Sequence, residues 1–309
     1  MKVLIIGATG HIGSYLVKQL VPLGHEVYAL SRGERKPFGY DKEIWDRVKM
    51  IKSSREDLVK SDLIETERFD AVCDLMSFAV EDVKALTDKL THGEFFLHIG
   101  SIWTYENKLY LPVDENHPHN SESWYGKGKG DVEDYLLDLS KKGVLKCAVV
   151  HPGHISGKEW MPINPQGNLD SSVYEKIVRG EEIILPFYGL PTLQHVHAYD
   201  LSSVIVGCLT KPEKANGHAF ISVAEHAMTL RAMAEELFRR FGHEPKIKYV
   251  SEQEFLELVG KDQYEVSMDH ITHSPCCTCA KSIELLGVKP KYTIIDIICE
   301  YLEYQYKSN

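Results

Sequence analysis

Two sets of residues in this chain have types and spacings that can do chemistry. The first is Tyr125-Gly126-Lys127-Gly128-Lys129, preceded 24 residues earlier by Ser101. Tyr125 and Lys129 stand four apart and so share one face of a helix. An ammonium beside a phenol favours the phenolate. That suits the phenol to move a proton at a hydroxyl or carbonyl while a cofactor exchanges hydride. Lys127 would face away from Tyr125. The second set is Gly7-x-x-Gly10-x-x-Gly13, directly after the apolar run Val3-Leu4-Ile5-Ile6. Gly7 can make a tight turn, Gly10 lets backbone approach a pyrophosphate, and Gly13 lets a helix pack close to a strand.

These residues need elements to hold them. Val3 to Ile6 reads as a strand buried on both faces. Apolar residues at 12, 16, 17, 20, 21 and 23 then follow helical spacing. The glycines therefore sit where a strand becomes a helix, and free N–H groups at the helix start can receive phosphate. Gly7, Thr9, Gly10, His11, Ile12 and Gly13 are the expected pyrophosphate contacts. Further strands are expected at 25–31, 48–51, 69–76, 95–99 and 146–150, alternating with helical patterns. That alternation means a parallel sheet with helices on both faces, a doubly wound α/β fold. Ligands of such sheets lie beyond the carboxyl ends of the strands, where Ser101 and Thr104 fall. A Pro- and His-rich loop spans 106–123, and the helix carrying Tyr125 continues through Val132, Tyr135, Leu136, Leu137 and Leu139.

The end of the second strand selects the cofactor. The run Ser31-Arg32-Gly33-Glu34-Arg35-Lys36 has no acid at the strand end and three cations. An acid there would take a ribose 2′-OH and a guanidinium a 2′-phosphate. NADP is favoured over NAD, with Ser31 and Arg32 as the readers. Asp57 is placed near the adenine or, equally well, as an acid at a helix terminus.

The 309 residues are 43% hydrophobic and 26% charged, with net charge −10. These values describe a globular protein with ample core, and the negative charge argues against nucleic acid as a partner. No apolar run reaches the ~18 residues of a membrane span. Lys2 and a short strand lead straight into the glycine turn, so no signal peptide is expected. Cys73, Cys147, Cys208 and Cys299 lie in apolar runs and read as buried thiols of a reduced, cytoplasmic compartment.

Taken together, the glycine turn, Ser101, Tyr125-x-x-x-Lys129 and His151-Pro152-Gly153 resemble the extended short-chain dehydrogenase/reductase family, of the NAD(P)-dependent epimerase/dehydratase type. His195-Val196-His197-Ala198-Tyr199-Asp200-Leu201 and the segment Ala280 to Pro290 extend the likeness over most of the chain. The resemblance implies a Rossmann-type sheet with a smaller C-terminal substrate-binding lid. The expected division is 1–157 with 190–223 for the dinucleotide domain, and 158–189 with 224–309 for the lid. It implies Tyr125 as acid/base, Lys129 holding the nicotinamide ribose and tuning Tyr125, and Ser101 bonding the substrate oxygen. It also leaves open a homodimer through the Tyr125 helix.

Two departures narrow the function. Dehydratases of the family carry an Asp-Glu pair just after the active-site hydroxyl, where this chain has Ile102 and Trp103, which argues against dehydration. Nucleotide-sugar members carry an arginine shortly before the His-Val segment, where this chain reads Pro191-Thr192-Leu193-Gln194. A diphosphate wants a bidentate guanidinium, so a smaller sugar-like, polyhydroxylated or carbonyl substrate is expected. His154 and His195 are the best substrate-binding imidazoles beside Thr104, and no metal is expected. Asp269-His270-x-x-His273-x-x-Cys276-Cys277-x-Cys279 lacks a paired C-x-x-C and a second half-site, so it reads as an exposed, oxidisable loop. The leading expectation is an NAD(P)-dependent oxidoreductase or epimerase. The alternatives are a nucleotide-sugar epimerase, a non-catalytic NAD(P) sensor and an RNA-binding member of the fold.

Overall fold

The apolar run after Met1 can be shielded only at the centre of a layered structure, and it is found there. In the computed structural model, which describes residues 1–106 and 108–307, the chain divides into two compact units. Asn107, within the expected loop 106–123, lies outside the described residues.

The first unit comprises residues 1–152, 198–222 and 279–289. Its strands are β1 (Lys2–Ile6), β2 (Glu26–Ser31), β3 (Lys49–Lys52), β4 (Ala71–Asp74), β5 (Phe95–Ile99) and β6 (Lys146–Pro152). A seventh, His218–Ser222, lies on the outer edge of β6. The order is His218–Ser222, β6, β5, β4, β1, β2, β3, and every pairing is parallel. Strand order reverses between β1 and β4, which opens a ligand crevice at their carboxyl ends. Leu4, Ile6, Val72, Phe96, Val132, Leu136 and Val149 form one core of this unit.

The second unit comprises residues 153–197, 223–278 and 290–309. It holds three two-stranded ladders: His154–Ser156 with His195–His197, Thr192–Leu193 with Met228–Thr229, and Ile183–Pro186 with Ile247–Val250. Helices Ser171–Arg179, Leu230–Arg240 and Ile294–Lys307 bury Tyr174, Ile177, Leu237, Phe238 and Ile298 in its core.

The unit borders depart from the expected ones. Residues 153–157 and 190–197 belong to the second unit because the His154 and His195 strands pair in register and the His154 N–H donates to Gln194 O at 3.0 Å. Residues 279–289 return to the first unit, where Leu286 and Val288 pack against Gly207 and Lys211 Nζ donates to Leu286 O. The helix Lys261–Ile271 appears where no helix was expected. Among the described residues, no helix is long and apolar enough to cross a membrane.

Candidate active site

The glycine turn needs its glycines for steric reasons. Gly7 has φ +89°, a left-handed conformation. A Cβ on Gly13 would lie 2.5 Å from Gly7 O and 2.6 Å from Ala8 Cα. The first helix, His11–Leu20, therefore starts against the end of β1. Its N-cap is Gly10, with no side-chain cap and no acid in the first turn. The positive end of the helix dipole is thus left for an anion. Thr9 Oγ1 bonds Ser31 Oγ at 2.8 Å and ties this turn to the end of β2.

A cavity of about 420 Å³ opens here, lined by Gly7, Thr9, Gly10, Ser31, Arg32 and Arg35, among others. A phosphate-sized cradle, three guanidiniums (Arg32, Arg35, Arg55) beside the carboxylates of Glu34, Glu56 and Asp82, and no acid at the strand end fit a dinucleotide. Arg32 reaches Glu34 at 2.9 Å, and both are largely exposed. Not every expected contact lines this cavity. The His11 ring is buried, packed edge-on against Tyr15 and Phe38. Asp57 is not among the lining residues: it sits in the first turn of Arg55–Lys60, where its N–H and carboxylate both bond Ser54 Oγ.

Lining residues not legible in advance include Arg55, Met76 and Phe78. Arg55 pairs with Asp82 at 2.6 Å and donates to Ser77 Oγ at 3.2 Å. Their signal was position alone: Met76 and Phe78 follow the carboxyl end of β4, which flanks the crevice, and Arg55 follows that of the edge strand β3.

The chemistry-bearing residues gather on the same unit. Ser101 follows β5 and caps a short turn, accepting from the Trp103 N–H at 3.3 Å. Ser123 caps the helix Trp124–Lys141, accepting from the Gly126 N–H at 3.0 Å. Tyr125 and Lys129 are one turn apart on that helix. The Ser101 side chain stands beside the Tyr125 hydroxyl. Burial raises the phenol pKa, and Ser101 opposes that rise. The Tyr125 ring is surrounded by Phe78, Trp103 and Trp124, with ring centres 5.8–5.9 Å away. Lys129 Nζ donates to Ser77 O and Ile99 O, 2.7 Å each, and lies 4.5 Å from the centre of the Phe78 ring. Burial lowers its pKa to about 8, partly opposed by Asp74.

Asp74 organises this turn from below. Its carboxylate accepts from the Met76 and Ser77 N–H groups and lies 3.5 Å from His98 Nδ1. Burial opposes its ionisation, but these partners outweigh it and hold the pKa at about 2. Asp74 thus fixes the segment whose Ser77 carbonyl receives Lys129.

The expected substrate contacts are placed otherwise. Thr104 is fully buried and donates to Gly126 O at 2.7 Å. Its hydroxyl anchors the Tyr125 helix and is closed to a ligand. His154 and His195 belong to the second unit, where their rings are 5.8 Å apart and His270 stands 5.3 Å from His154. His270 Nδ1 bonds Gly167 O at 2.8 Å. Burial lowers His195 to about 4 and His154 well below its ordinary value. Among the described residues, no group of three His, Cys, Asp or Glu is arranged to hold a metal ion.

The cysteine-rich segment is not the exposed loop expected. Asp269 and His270 lie in the helix Lys261–Ile271, and Cys277 and Cys279 are buried. Gln194 draws the strand in: its Oε1 accepts from the Cys277 N–H at 2.7 Å, and its Nε2 donates to Cys277 O at 3.0 Å. Arg231 and Arg239, two of the three arginines beyond residue 180, pair with Glu235.

Comparison with known proteins agrees with this geometry. The chain is 27% identical over 306 residues to the chloroplast stem-loop binding protein of 41 kDa b of Arabidopsis thaliana, covering 96% of this chain and 76% of that protein. It is 22% identical to the dTDP-6-deoxy-L-talose 4-dehydrogenase (NAD(+)) of Aggregatibacter actinomycetemcomitans, over 81% and 94% of the two chains. The UDP-glucose 4-epimerase of Thermotoga maritima, solved with UDP-glucose, shares the fold with a TM-score of 0.73 at 20% identity, over 100% and 99% of the two chains. The model of the NAD dependent epimerase/dehydratase family matches residues 3–85 and 80–223. The chain belongs to that family.

Proposed function

We propose that this protein is an NAD(P)-dependent oxidoreductase or epimerase acting at a hydroxyl-bearing carbon of a sugar-like or other small polyhydroxylated or carbonyl substrate. The observation that carries this reading is the Ser101 side chain beside the Tyr125 hydroxyl, with Lys129 one helical turn on. Phe78 touches both Tyr125 and Lys129 and also lines the cavity above the glycine turn. That neighbourhood supports reading Tyr125 as an acid/base group beside the dinucleotide cradle.

When bound, the nicotinamide supplies the hydride acceptor and donor. Gly7, Thr9 and Gly10 receive the pyrophosphate at the helix start. Arg32 and Arg35 favour a 2′-phosphate, hence NADP. Tyr125 takes the substrate hydroxyl proton, Ser101 aligns the substrate oxygen, and the Lys129 ammonium favours the phenolate. Ile102 and Trp103 offer neither the acid nor the base that water elimination needs, which argues against dehydration. The matches to UDP-glucose 4-epimerases support a nucleotide sugar as the alternative substrate.

A second reading has one specific support. The relative aligned over nearly the whole chain is named for stem-loop binding, which favours a nucleic-acid-binding member of the fold. The net charge of −10 opposes it. Titration of tryptophan fluorescence with NADP(H) and NAD(H), after testing for co-purified cofactor, separates the two. Tight NADPH binding with weak NADH binding supports the oxidoreductase; failure of both to bind, with retention of an RNA hairpin, overturns it.

A further inference from the structure

Beneath Ser101 lies a chain of ionisable side chains that the functional reading does not use. His151, at the carboxyl end of β6, is fully buried, and Glu133 is almost so. The Ser101 N–H donates to His151 Nδ1 at 2.9 Å. On the far side of the ring, Nε2 is 2.6 Å from Glu133 Oε2. The same carboxylate oxygen is 3.0 Å from His119 Nε2, and His119 Nδ1 is 3.2 Å from the exposed Asp134. Glu133 stands four residues after Lys129 and eight after Tyr125, on one face of the same helix. The ring lies so close beneath the backbone that a Cβ on Gly100 would be 2.4 Å from His151 Cε1.

We infer that His151, Glu133 and His119 form a positioning chain that locks the Ser101 backbone to the helix carrying Tyr125 and Lys129, and so sets the Ser101 side chain against the Tyr125 hydroxyl. This rests on the catalytic reading of Tyr125.

His151 Nδ1 also lies 3.0 Å from Ser101 O, so the ring holds the Ser101 backbone whichever tautomer is present. The chain is not a proton wire to Tyr125, because its inner end is the Ser101 backbone and not the Ser101 hydroxyl. Its charges are balanced internally. Burial opposes charge on both Glu133 and His119, but their mutual attraction wins, with His151 assisting on one side and Asp134 on the other. Glu133 falls to about 2 and His119 rises to about 9. Removing one member of such a buried set leaves another uncompensated. The other titratable groups facing His151 are His98 on β5, Glu115 in the preceding loop and the Tyr105 ring.

The test uses ring-labelled tyrosine in the full chain. The Tyr125 resonance is assigned by its loss in Tyr125→Phe and followed between about pH 7 and about pH 11, the range in which phenols titrate. His151→Phe fills the same space without either polar contact. It is expected to raise the Tyr125 apparent pKa by about one unit, as Ser101 moves away from the phenol, with the tyrosines other than Tyr125 and its neighbour Tyr105 unmoved. His151→Gln can accept from the Ser101 N–H and donate to Glu133, so it is expected to restore the wild-type value. Should His151→Phe not fold, Glu133→Gln is expected to move Tyr125 in the same direction. An unmoved Tyr125 in a folded His151→Phe, or in Glu133→Gln, overturns the proposal. So does an equal shift in His151→Gln and His151→Phe. NADPH titration of the same variants keeps the readings apart. Absent dinucleotide binding with the Tyr125 shift intact overturns the function and leaves the positioning role standing.

Discussion

Tyr125 carries the proposed chemistry through one oxygen, so the first test is to remove it. Tyr125→Phe keeps the ring among Phe78, Trp103 and Trp124. It should lower turnover by about 10²–10⁴-fold, the usual worth of a general acid/base, with NADPH affinity unchanged. Steady-state kinetics beside fluorescence titration check both halves, and unchanged turnover removes Tyr125 from the mechanism. Arg32 governs a different property. Its guanidinium is exposed and paired with Glu34, so Arg32→Ala should weaken NADPH by about tenfold through loss of a charge-assisted bond. NADH should be nearly unaffected, and equal loss of both would show that Arg32 does not read the 2′-phosphate. Both residues were singled out by type and position along the chain, whereas the Ser54 hydroxyl that bonds Asp57 was not.

The first helix and the Tyr125 helix are placed by close backbone approach. Gly13→Ala sets a Cβ against Gly7 O and Ala8 Cα. Overpacking of this kind costs about 1–3 kcal/mol, and it should also push the helix start away from the pyrophosphate. Urea unfolding and NADPH titration should both report the change. The Tyr125 helix is tied at its start by Thr104. Thr104→Val should cost about 1 kcal/mol by removing the buried hydroxyl's bond to the Gly126 carbonyl, which keeps its helical partner. Turnover should fall further than stability alone explains, because Tyr125 follows the helix. The periodicity that announced these two helices could not reveal Thr104 as an anchor. Its role depends on residues 22 positions later in the chain folding back over it. The helix Lys261–Ile271 escaped notice for a related reason: its polar surface hides the two residues it buries, Ser267 and Ile271.

Across the whole molecule the histidines set the response to pH. Burial lowers His98 in the first unit and His154, His195 and His270 in the second. In the unfolded chain these rings take up a proton near pH 6.5, which the folded protein refuses. Their contribution is therefore complete above about pH 6.5 and is lost as pH falls toward about 4. His119 has the opposite sign: its contribution is complete below about pH 6.5 and is lost as pH rises through about 9. Unfolding free energy should peak near neutrality and drop by about 2 kcal/mol for each of His98 and His195, whose folded values lie at about 4, between pH 7.5 and pH 5. Urea titrations at the two pH values check this, and equal midpoints would contradict it. What the amino-acid sequence determined alone was whatever depends on neighbours along the chain. That includes the strand–glycine–helix start, the parallel α/β alternation, and the Tyr125 and Lys129 pair on one helical face. The tertiary structure alone decided which side chains face a cavity and which hold the frame. Thr104, His151 and Gln194 have hydrogen-bonding groups suited to either task. Only the packing of distant segments closes them off from solvent and assigns them to the frame.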